Sequence, residues 1–179
     1  IHADNTDAYG FLENLRAGAP GWRAAAGPAV VLGAGGAARA LLHALAAEGA
    51  PEIRLANRTR ETAEELAAEF GPPVNAVDWA ERSAALEGAA TVVNATSLGM
   101  TGKPPLEVAL EAAPVTATVC DIVYVPLETP LLAEARARGM AAVDGLGMLL
   151  HQARPAFAAW FGVDPEVDAA LRDACLGGR

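Results

Sequence analysis

Short, uninterrupted apolar runs recur along the chain from residue 28 onward, separated by polar or glycine-rich segments. A strand that is buried on both faces of a parallel sheet has a continuous run of this kind, whereas a half-buried strand alternates. We therefore predict six strands, the third weaker than the others, at residues 29–32, 53–56, 74–77, 91–94, 118–122 and 140–143.

Between these runs, small and apolar residues return at intervals of three and four, which is the period of an amphipathic helix. Helices are predicted at residues 7–15, 36–48, 60–70, 78–86 and 129–138. Asn5 or Thr6 is a suitable cap for the first of them. A loop over 17–27 precedes the first strand. The tail over 146–176 is predicted to be helical, with breaks at Pro155 and at Asp164-Pro165.

Strands that alternate with helices favour an α/β fold with a parallel, doubly wound sheet and right-handed crossovers. We expect about six strands with helices on both faces of the sheet, followed by the C-terminal helices. Ligands of such sheets bind outside the carboxyl ends of the strands. The residues that follow each strand are therefore the candidates for function.

A glycine-rich turn, Gly33-Ala34-Gly35-Gly36-Ala37-Ala38, follows the first strand and opens a helix. Glycines permit a tight turn and a close approach of the backbone to a ligand. The N–H groups at the start of the helix attract a pyrophosphate. The pattern G-x-G-x-x-A is a variant of the dinucleotide fingerprint and indicates a Rossmann-like nucleotide site. A glycine turn between a strand and a helix can also be no more than a turn.

The end of the second strand bears on the choice of nucleotide. Asn57 lies 24 residues after Gly33, close to the offset of about 20 at which NAD sites place a carboxylate for the ribose 2′-hydroxyl. This chain has no carboxylate there, and the next residue, Arg58, suits a 2′-phosphate. Arg58 and Arg60 also begin a predicted helix, where cations are unfavourable unless an anion is present. NADP is thus favoured over NAD, although both arginines could also be ordinary solvated charges.

Two further polar segments follow strands. Residues 94–100 offer an amide, two hydroxyls and a methionine where a nicotinamide ribose would lie, but the same residues are typical of a polar loop. Tyr124 follows the fifth strand and could either join the core or present its hydroxyl to the cleft. Thr129-Pro130 is a helix start, with proline at the first helical position.

Composition limits the class of protein. The chain has 179 residues, of which 53% are hydrophobic, and this suits one domain. A net charge of −9 argues against nucleic acid or an anionic membrane as a partner, so an anionic cofactor must be held by local geometry. Cys120 and Cys175 have no metal or redox spacing and are predicted to be small buried residues of a cytoplasmic protein. No metal site and no membrane helix are predicted.

Six motifs in order, beginning at Asn5 and ending in the last helices, resemble the C-terminal, cofactor-binding part of shikimate dehydrogenase. They are Asn5-Thr6-Asp7-x-x-Gly10, Gly33-Ala34-Gly35-Gly36-Ala37, Asn57-Arg58-Thr59, Asn94-Ala95-Thr96-x-x-Gly99-Met100, Asp121-x-x-Tyr124-x-Pro126-x-x-Thr129-Pro130-Leu131 and Gly145-x-Gly147-Met148-Leu149-x-x-Gln152-Ala153. This family reduces 3-dehydroshikimate to shikimate with NADPH, on the route to aromatic amino acids.

The resemblance implies a role for particular residues. Asp7 would be the carboxylate of a catalytic lysine–aspartate pair, and Tyr124 and Gln152 would bind the substrate with it. The implied coenzyme residues are Gly33, Ala34, Gly35, Gly36 and Ala37 at the pyrophosphate, Asn57, Arg58 and Thr59 at the 2′-phosphate, and Thr96, Ser97, Gly145 and Met148 at the nicotinamide end. Without the resemblance, Asp7 is equally a partner for a helix dipole and Gln152 a solvated helix residue. One departure is Thr62, where many members carry a second arginine; Arg60 is the nearest substitute.

A larger departure concerns the N-terminal substrate domain of the family, which carries the catalytic lysine ahead of the Asn-Thr-Asp motif. Lys103 is the only lysine of this sequence and does not match that position, and the chain begins at Ile1 without a methionine. We expect one NADP-binding domain over 1–179, in which residues 1–16 and 146–179 face a missing substrate domain. We expect this chain to be inactive alone. The alternatives are a quinate/shikimate dehydrogenase that uses NAD and a stand-alone NADP-binding module without catalysis.

Overall fold

The sheet of this protein is entirely parallel, with the strand order β3-β2-β1-β4-β5-β6. The computed structural model describes residues 3–177, so residues 1–2 and 178–179 of the predicted domain lie outside the described range. The strands are β1 (Ala29–Leu32), β2 (Ile53–Asn57), β3 (Val74–Asp78), β4 (Thr91–Asn94), β5 (Thr118–Asp121) and β6 (Ala141–Val143). The six predicted strands are confirmed, and none of their ends differs by more than one residue.

Helices cover both faces of the sheet, as predicted. They are α1 (Asp7–Gly18), α2 (Gly36–Ala47), α3 (Arg60–Phe70), α4 (Pro130–Ala137), α5 (Leu146–Phe161) and α6 (Ala169–Cys175). Side chains of β1 alternate between two cores, since Val31 packs with α1, α2 and α3, whereas Val30 and Leu32 pack with α4. Among the described residues, no helix has the length and apolar character that a membrane crossing requires.

The crevice of this fold lies between β1 and β4. The chain moves from β1 outward to β3, then crosses back to β4 on the other side of β1 and continues to β6. The loops that leave β1 and β4 therefore diverge to opposite faces, and the carboxyl ends of these two strands form the opening at which ligands of doubly wound sheets bind.

The helix predicted over 78–86 is wrong. The structure has two 3₁₀ turns there, Trp79–Glu81 and Ala84–Leu86. The Arg82 Nε donates to the Glu107 carbonyl oxygen (2.6 Å), and Ser83 Oγ accepts a hydrogen bond from the Ala109 N–H (3.0 Å). These bonds tie the segment to a neighbouring loop, and its own backbone bonds close over three residues instead of four.

The predicted break at Pro155 is also wrong, because α5 continues through this proline to Phe161. A proline inside a helix removes one backbone hydrogen bond, and the packing of α5 along α1 outweighs that loss. The two helices are so close at Gly10 that a Cβ there would lie 2.7 Å from the Gln152 Cβ. The second predicted break is confirmed, since residues 162–168 separate α5 from α6.

Two smaller expectations also differ from the structure. Helix α1 extends to Gly18, so the predicted loop over 17–27 begins two residues later and contains a 3₁₀ turn at Ala24–Ala26. Cys120 is buried in β5 as predicted, but Cys175 is exposed. The reason is that α6 buries none of its residues against the rest of the protein.

Candidate active site

The glycine turn leaves β1 at the carboxyl edge of the sheet and enters α2. Gly33 has a φ of +108°, and a Cβ there would lie 2.8 Å from Thr96 Cγ2 and 2.9 Å from the Ala95 carbonyl oxygen. Only glycine fits this position. Gly35 and Gly36 are different, because a Cβ at either of them would meet no atom within 4 Å.

The backbone at the start of α2 has no side-chain partner among residues 3–177. No side chain of these residues caps the helix, and its first turn contains no acidic residue. The first N–H groups of a helix have no partner within the helix and attract anions. With the open space in front of Gly35 and Gly36, this arrangement fits a pyrophosphate.

Asn57 connects the end of β2 to the glycine turn. Its Oδ1 accepts a hydrogen bond from the Ala34 N–H (3.2 Å), and its Nδ2 donates to the Thr59 carbonyl oxygen (2.9 Å). Asn57 is predicted to bind the 2′-phosphate, and this stays a prediction. Its amide is bonded within the protein, where it fixes the turn against the segment that carries Arg58.

Arg58 and Arg60 have different surroundings. Arg60 forms ion pairs with Glu64 (2.6 Å) and with Asp78, and these carboxylates account for a cation at the start of α3. Arg58 is exposed and has no ion-pair partner within residues 3–177. Of the two arginines, Arg58 is therefore the one that is available to an anionic ligand.

Arg58 and the glycine turn line one depression of about 230 Å³, which we term the coenzyme depression. Its walls come from the ends of β1, β2, β3 and β4, as expected for a ligand site of this fold. The lining residues are Gly33, Ala34, Gly35, Asn57, Arg58, Trp79, Ala95, Thr96, Ser97 and Leu98. Thr96 and Ser97, predicted for the nicotinamide end, thus share a surface with the glycine turn.

The loop after β4 is folded around the side chain of Asn94, which is fully buried. Its Oδ1 accepts hydrogen bonds from the Thr96 N–H (3.0 Å) and the Thr96 hydroxyl (2.7 Å). Its Nδ2 donates to the Leu98 carbonyl oxygen (3.0 Å) and to Asp121 Oδ1 (2.9 Å). The polar residues of this loop therefore hold its shape, and Ser97 is left exposed at its tip.

Asp121 connects this loop to the next one. Its Oδ2 accepts a hydrogen bond from the Thr129 hydroxyl (2.7 Å), which caps α4, and its Oδ1 accepts one from the Val123 N–H (3.0 Å). Burial raises the pKa of the Asp121 carboxyl, and the hydrogen bonds from Val123, Thr129 and Asn94 oppose that shift. One carboxylate thus links β4, β5 and the start of α4.

The sequence alone did not assign a role to Asn94 or Asp121 individually. The sequence contains part of a signal, because both residues end apolar strands, whereas their pairing follows only from the sheet register. Two adjacent polar residues that are buried at the ends of neighbouring strands must satisfy each other or their loops.

Tyr124 and Gln152 line a second, smaller depression of about 100 Å³, beside the start of α5. Its other lining residues are Ile122, Gly145, Met148 and Leu149. Gly145 has no room for a side chain, since its Cβ would overlap the Ile122 carbonyl group. Tyr124 is 43% exposed, so its hydroxyl is not part of the core.

Asp7 is half-buried at the start of α1 and does not line either depression. Its backbone N–H donates to Asn5 Oδ1 (2.8 Å), so Asn5 bonds the first turn of α1, whereas Thr6 makes no capping bond through its side chain. Gly10, one turn after Asp7, packs directly on Gln152. This contact brings the beginning of α1 to the same end of the molecule as Gln152.

Comparisons with known proteins identify one family. Residues 22–102 match the family model Shikimate / quinate 5-dehydrogenase, and residues 145–172 match Shikimate 5'-dehydrogenase C-terminal domain. A shikimate dehydrogenase (NADP(+)) of Dinoroseobacter shibae is 63% identical over 98% of this chain. This chain spans only 63% of the length of that relative.

Solved structures show the same fold. Quinate dehydrogenase from Corynebacterium glutamicum, in complex with NAD, superposes with a TM-score of 0.86 at 33% identity, covering 97% of this chain and 62% of that one. Shikimate 5-dehydrogenase from Thermus thermophilus, in complex with NADP(H) and shikimate, gives a TM-score of 0.77 at 41% identity, covering 90% of this chain and 58% of that one.

Proposed function

Because this chain belongs to the shikimate/quinate dehydrogenase family, we propose that it is the NADP-binding part of a shikimate dehydrogenase. The proposed reaction is the reduction of 3-dehydroshikimate to shikimate, for which NADPH supplies the hydride. The observation that carries the coenzyme assignment is the exposed Arg58, which has no carboxylate partner among the described residues and lies beside the glycine turn.

The coenzyme depression offers groups for each part of NADP. The turn over 33–37 would hold the pyrophosphate through its backbone, since the space before Gly35 and Gly36 is open. Arg58 would bind the 2′-phosphate, with Asn57 and Thr59 beside it. The bonds of Asn57 to the Ala34 N–H and to the Thr59 carbonyl oxygen hold this segment against the turn. Thr96 and Ser97 in this depression would surround the nicotinamide end together with Gly145 and Met148, which line the smaller depression beside α5.

The proposed substrate groups are Asp7, Tyr124 and Gln152. Tyr124 and Gln152 share one depression, and the Tyr124 hydroxyl and the Gln152 amide are suited to hydrogen-bond the hydroxyls of a polyhydroxylated ring. Asp7 would bind a further hydroxyl next to the reacting carbonyl. In this family a lysine beside that aspartate completes the acid–base pair, and Lys103 lies instead on an exposed loop after β4.

We further propose that the start of α1 and the helices α5 and α6 face a substrate domain. The surface here is unusually apolar, since Trp160 is 78% exposed and Phe161 is 64% exposed at the end of α5. Phe157 and Tyr9 are also exposed nearby, and Arg154 lies over the Tyr9 ring at 5.9 Å. The Phe157 and Phe161 rings contact each other, with their centroids 4.5 Å apart, and exposed apolar surface of this kind commonly marks a contact with another domain or protein.

Coenzyme binding to this chain, measured by calorimetry, tests the proposal. We expect NADPH to bind more tightly than NADH. The substitution Arg58→Ala is expected to weaken NADPH about ten- to a hundredfold, the range of a charge-assisted hydrogen bond, and to leave NADH unchanged. Arg60→Ala is the matched control, because its guanidinium is already held by Glu64 and Asp78. Equal affinities for NADPH and NADH would contradict the assignment.

A second candidate is a quinate dehydrogenase that uses NAD. It is favoured by the high TM-score with the quinate dehydrogenase that was solved with NAD. The same titration separates the two candidates, since an NAD-dependent protein would bind NADH at least as tightly as NADPH and would not respond to Arg58→Ala.

A further inference from the structure

Within the described part of the chain, Trp79 is the one large aromatic side chain in the wall of the coenzyme depression. It follows β3 directly, and the register of β2 with β3 pairs Asn57 with Asp78. Arg58 and Trp79, the next residue on each strand, therefore leave the sheet at the same level. The half-buried indole and the exposed guanidinium thus border the same space.

The indole of Trp79 is held in place by Arg82. The Arg82 guanidinium carbon lies 4.9 Å from the centroid of the indole ring, a cation–π contact. Arg82 cannot easily move away, because its Nε donates to the Glu107 carbonyl oxygen (2.6 Å) and its Nη1 to the Trp79 carbonyl oxygen (2.7 Å). Another part of the indole packs on the core that contains Leu86. Only the remaining surface of the ring is available to a ligand.

The chemistry of the coenzyme places its adenine near this surface. In NADP the adenine and the 2′-phosphate are attached to neighbouring carbons of one ribose. A phosphate bound by Arg58 therefore leaves the adenine within reach of a side chain at the same level of the next strand. An ordered indole is well suited to pack against a purine, whose π-face stacks on aromatic side chains.

We propose that Trp79 binds the adenine of the coenzyme and that Arg82 is a positioning residue that holds the indole for it. This inference rests on the proposed NADP function. It adds an aromatic contact that would contribute to the affinity for NADP and NAD alike, in contrast to Arg58, which would contribute to NADP alone.

Tryptophan fluorescence tests the contact directly. The sequence has two other tryptophans, Trp22 and Trp160, and the double variant Trp22→Phe/Trp160→Phe leaves Trp79 as the only reporter. Adenosine 2′,5′-bisphosphate carries the adenine and the 2′-phosphate without the nicotinamide. We expect it to change the Trp79 emission in a saturable way, with the dissociation constant that calorimetry gives. Nicotinamide mononucleotide, the other half of the coenzyme, is expected to leave the emission unchanged.

Substitutions measure what the contact contributes. Trp79→Ala is expected to weaken adenosine 2′,5′-bisphosphate and NADPH by about 5- to 50-fold, as for the loss of one stacked aromatic side chain. Trp79→Phe should retain most of the affinity, and Arg82→Gln should fall between the two. The control Trp160→Ala removes an exposed indole on α5 and should change nothing. Circular dichroism and the melting temperature establish that each variant is folded.

The outcomes separate this inference from the function on which it rests. If NADPH binds with the Arg58 dependence described above but Trp79 neither reports the bisphosphate nor affects its affinity, the adenine contact is wrong and the function stands. If the unsubstituted chain binds neither NADPH nor the bisphosphate, both the function and the contact are overturned.

Discussion

Gly33 and Gly35 differ in what a side chain would do, and this difference allows the coenzyme site to be tested by one residue. Gly33 has a positive φ and no space, whereas Gly35 has an extended backbone (φ −81°) and open space. We expect Gly35→Val to fold normally and to weaken NADPH and NADH together, because the new side chain occupies the place of the shared pyrophosphate. Calorimetry with both nucleotides, alongside far-UV circular dichroism, measures this.

Gly33→Val is the contrasting variant, since its side chain would clash with Thr96 and with the backbone at Ala95. It should lower the melting temperature as well as the affinity. Nucleotide binding that survives Gly35→Val would show that the turn is only structural and that the pyrophosphate lies elsewhere.

The side-chain partners of single residues could be predicted from the sequence only where they are local. The anion-binding potential of Arg58 followed from its place after a strand. The engagement of Arg60 did not, because Asp78 is 18 residues further along the chain and reaches Arg60 only once β3 pairs with β2. Asn94 and Asp121 likewise bond each other across 27 residues. Such partners are set by the sheet register, which a local pattern does not contain.

At the scale of the elements, the Asp121 side chain connects β5 to β4 and to the start of α4. Asp121→Ala removes the acceptor of three buried donors, the Asn94 amide, the Val123 N–H and the Thr129 hydroxyl. Each buried donor that is left unsatisfied costs about 1–3 kcal/mol. We expect the free energy of unfolding in urea to fall by at least about 2 kcal/mol.

Asp164→Ala is the matched control for this prediction. Asp164 also accepts hydrogen bonds, from Arg154, but its side chain is 62% exposed, so its loss should change stability by less than about 1 kcal/mol. If the two alanine variants are equally stable, the network around Asp121 makes no net contribution to the fold.

Helix α5 contains a buried histidine. His151 is 8% exposed, and its Nδ1 is buried with no hydrogen-bond partner in the described structure. Burial, and then the nearby Arg154, lowers the pKa of His151 below its ordinary value of 6.5, while Glu13 opposes this shift and Arg172 adds to it. The unfolded chain therefore binds the proton more readily than the folded one. Stability from this group is complete above pH 6.5 and is lost as the pH falls toward the folded-state pKa.

We expect His151→Gln to make urea unfolding less dependent on pH in that acidic range. His43→Gln serves as the comparison, because His43 is exposed on α2, and it should leave the pH dependence as it is. An unchanged pH profile in His151→Gln would mean that another group is responsible for any acid sensitivity.

Helices and strands that depend on neighbouring residues were predicted correctly, whereas those that depend on distant contacts were not. The strands are continuous apolar runs because both faces of the sheet are covered, and their ends follow from the sequence alone. The segment at 79–86 and the helix around Pro155 depend on distant partners, namely Glu107 for Arg82 and α1 for α5. The local preferences that helical periodicity and proline express are outweighed by such tertiary contacts. For this reason these two predictions were wrong.

At the scale of the whole molecule, the coenzyme side of the proposed site is more complete than the substrate side. Tyr124 and Gln152 share a depression of about 100 Å³, Asp7 lies outside it, and no described residue matches the catalytic lysine of the family. Reduction of a ketone requires hydride and proton to reach one substrate that is held in a reactive geometry. A positioned acid alone contributes about 10²–10⁴-fold.

We therefore expect this chain alone to bind NADPH but to show no measurable turnover of 3-dehydroshikimate, followed as NADPH oxidation. The exposed aromatic surface at the end of α5 allows a second test, namely whether a substrate domain covers this surface. Fusion of a family substrate domain ahead of the Asn-Thr-Asp motif should protect Trp160 from added quencher, because that domain would cover the surface.

The fusion should also reduce 3-dehydroshikimate, and substitution of Asp7 tests whether this activity depends on the proposed catalytic carboxylate. Asp7→Asn in the fusion is expected to lose most of the rate while NADPH affinity stays unchanged, because Asp7 lies outside the coenzyme depression. Asp4→Asn, an exposed carboxylate three residues earlier, should be as active as the unsubstituted fusion. Robust turnover by the chain without the added domain would disprove the proposal that catalysis requires a second domain. Hydride and proton would then both be delivered within this chain.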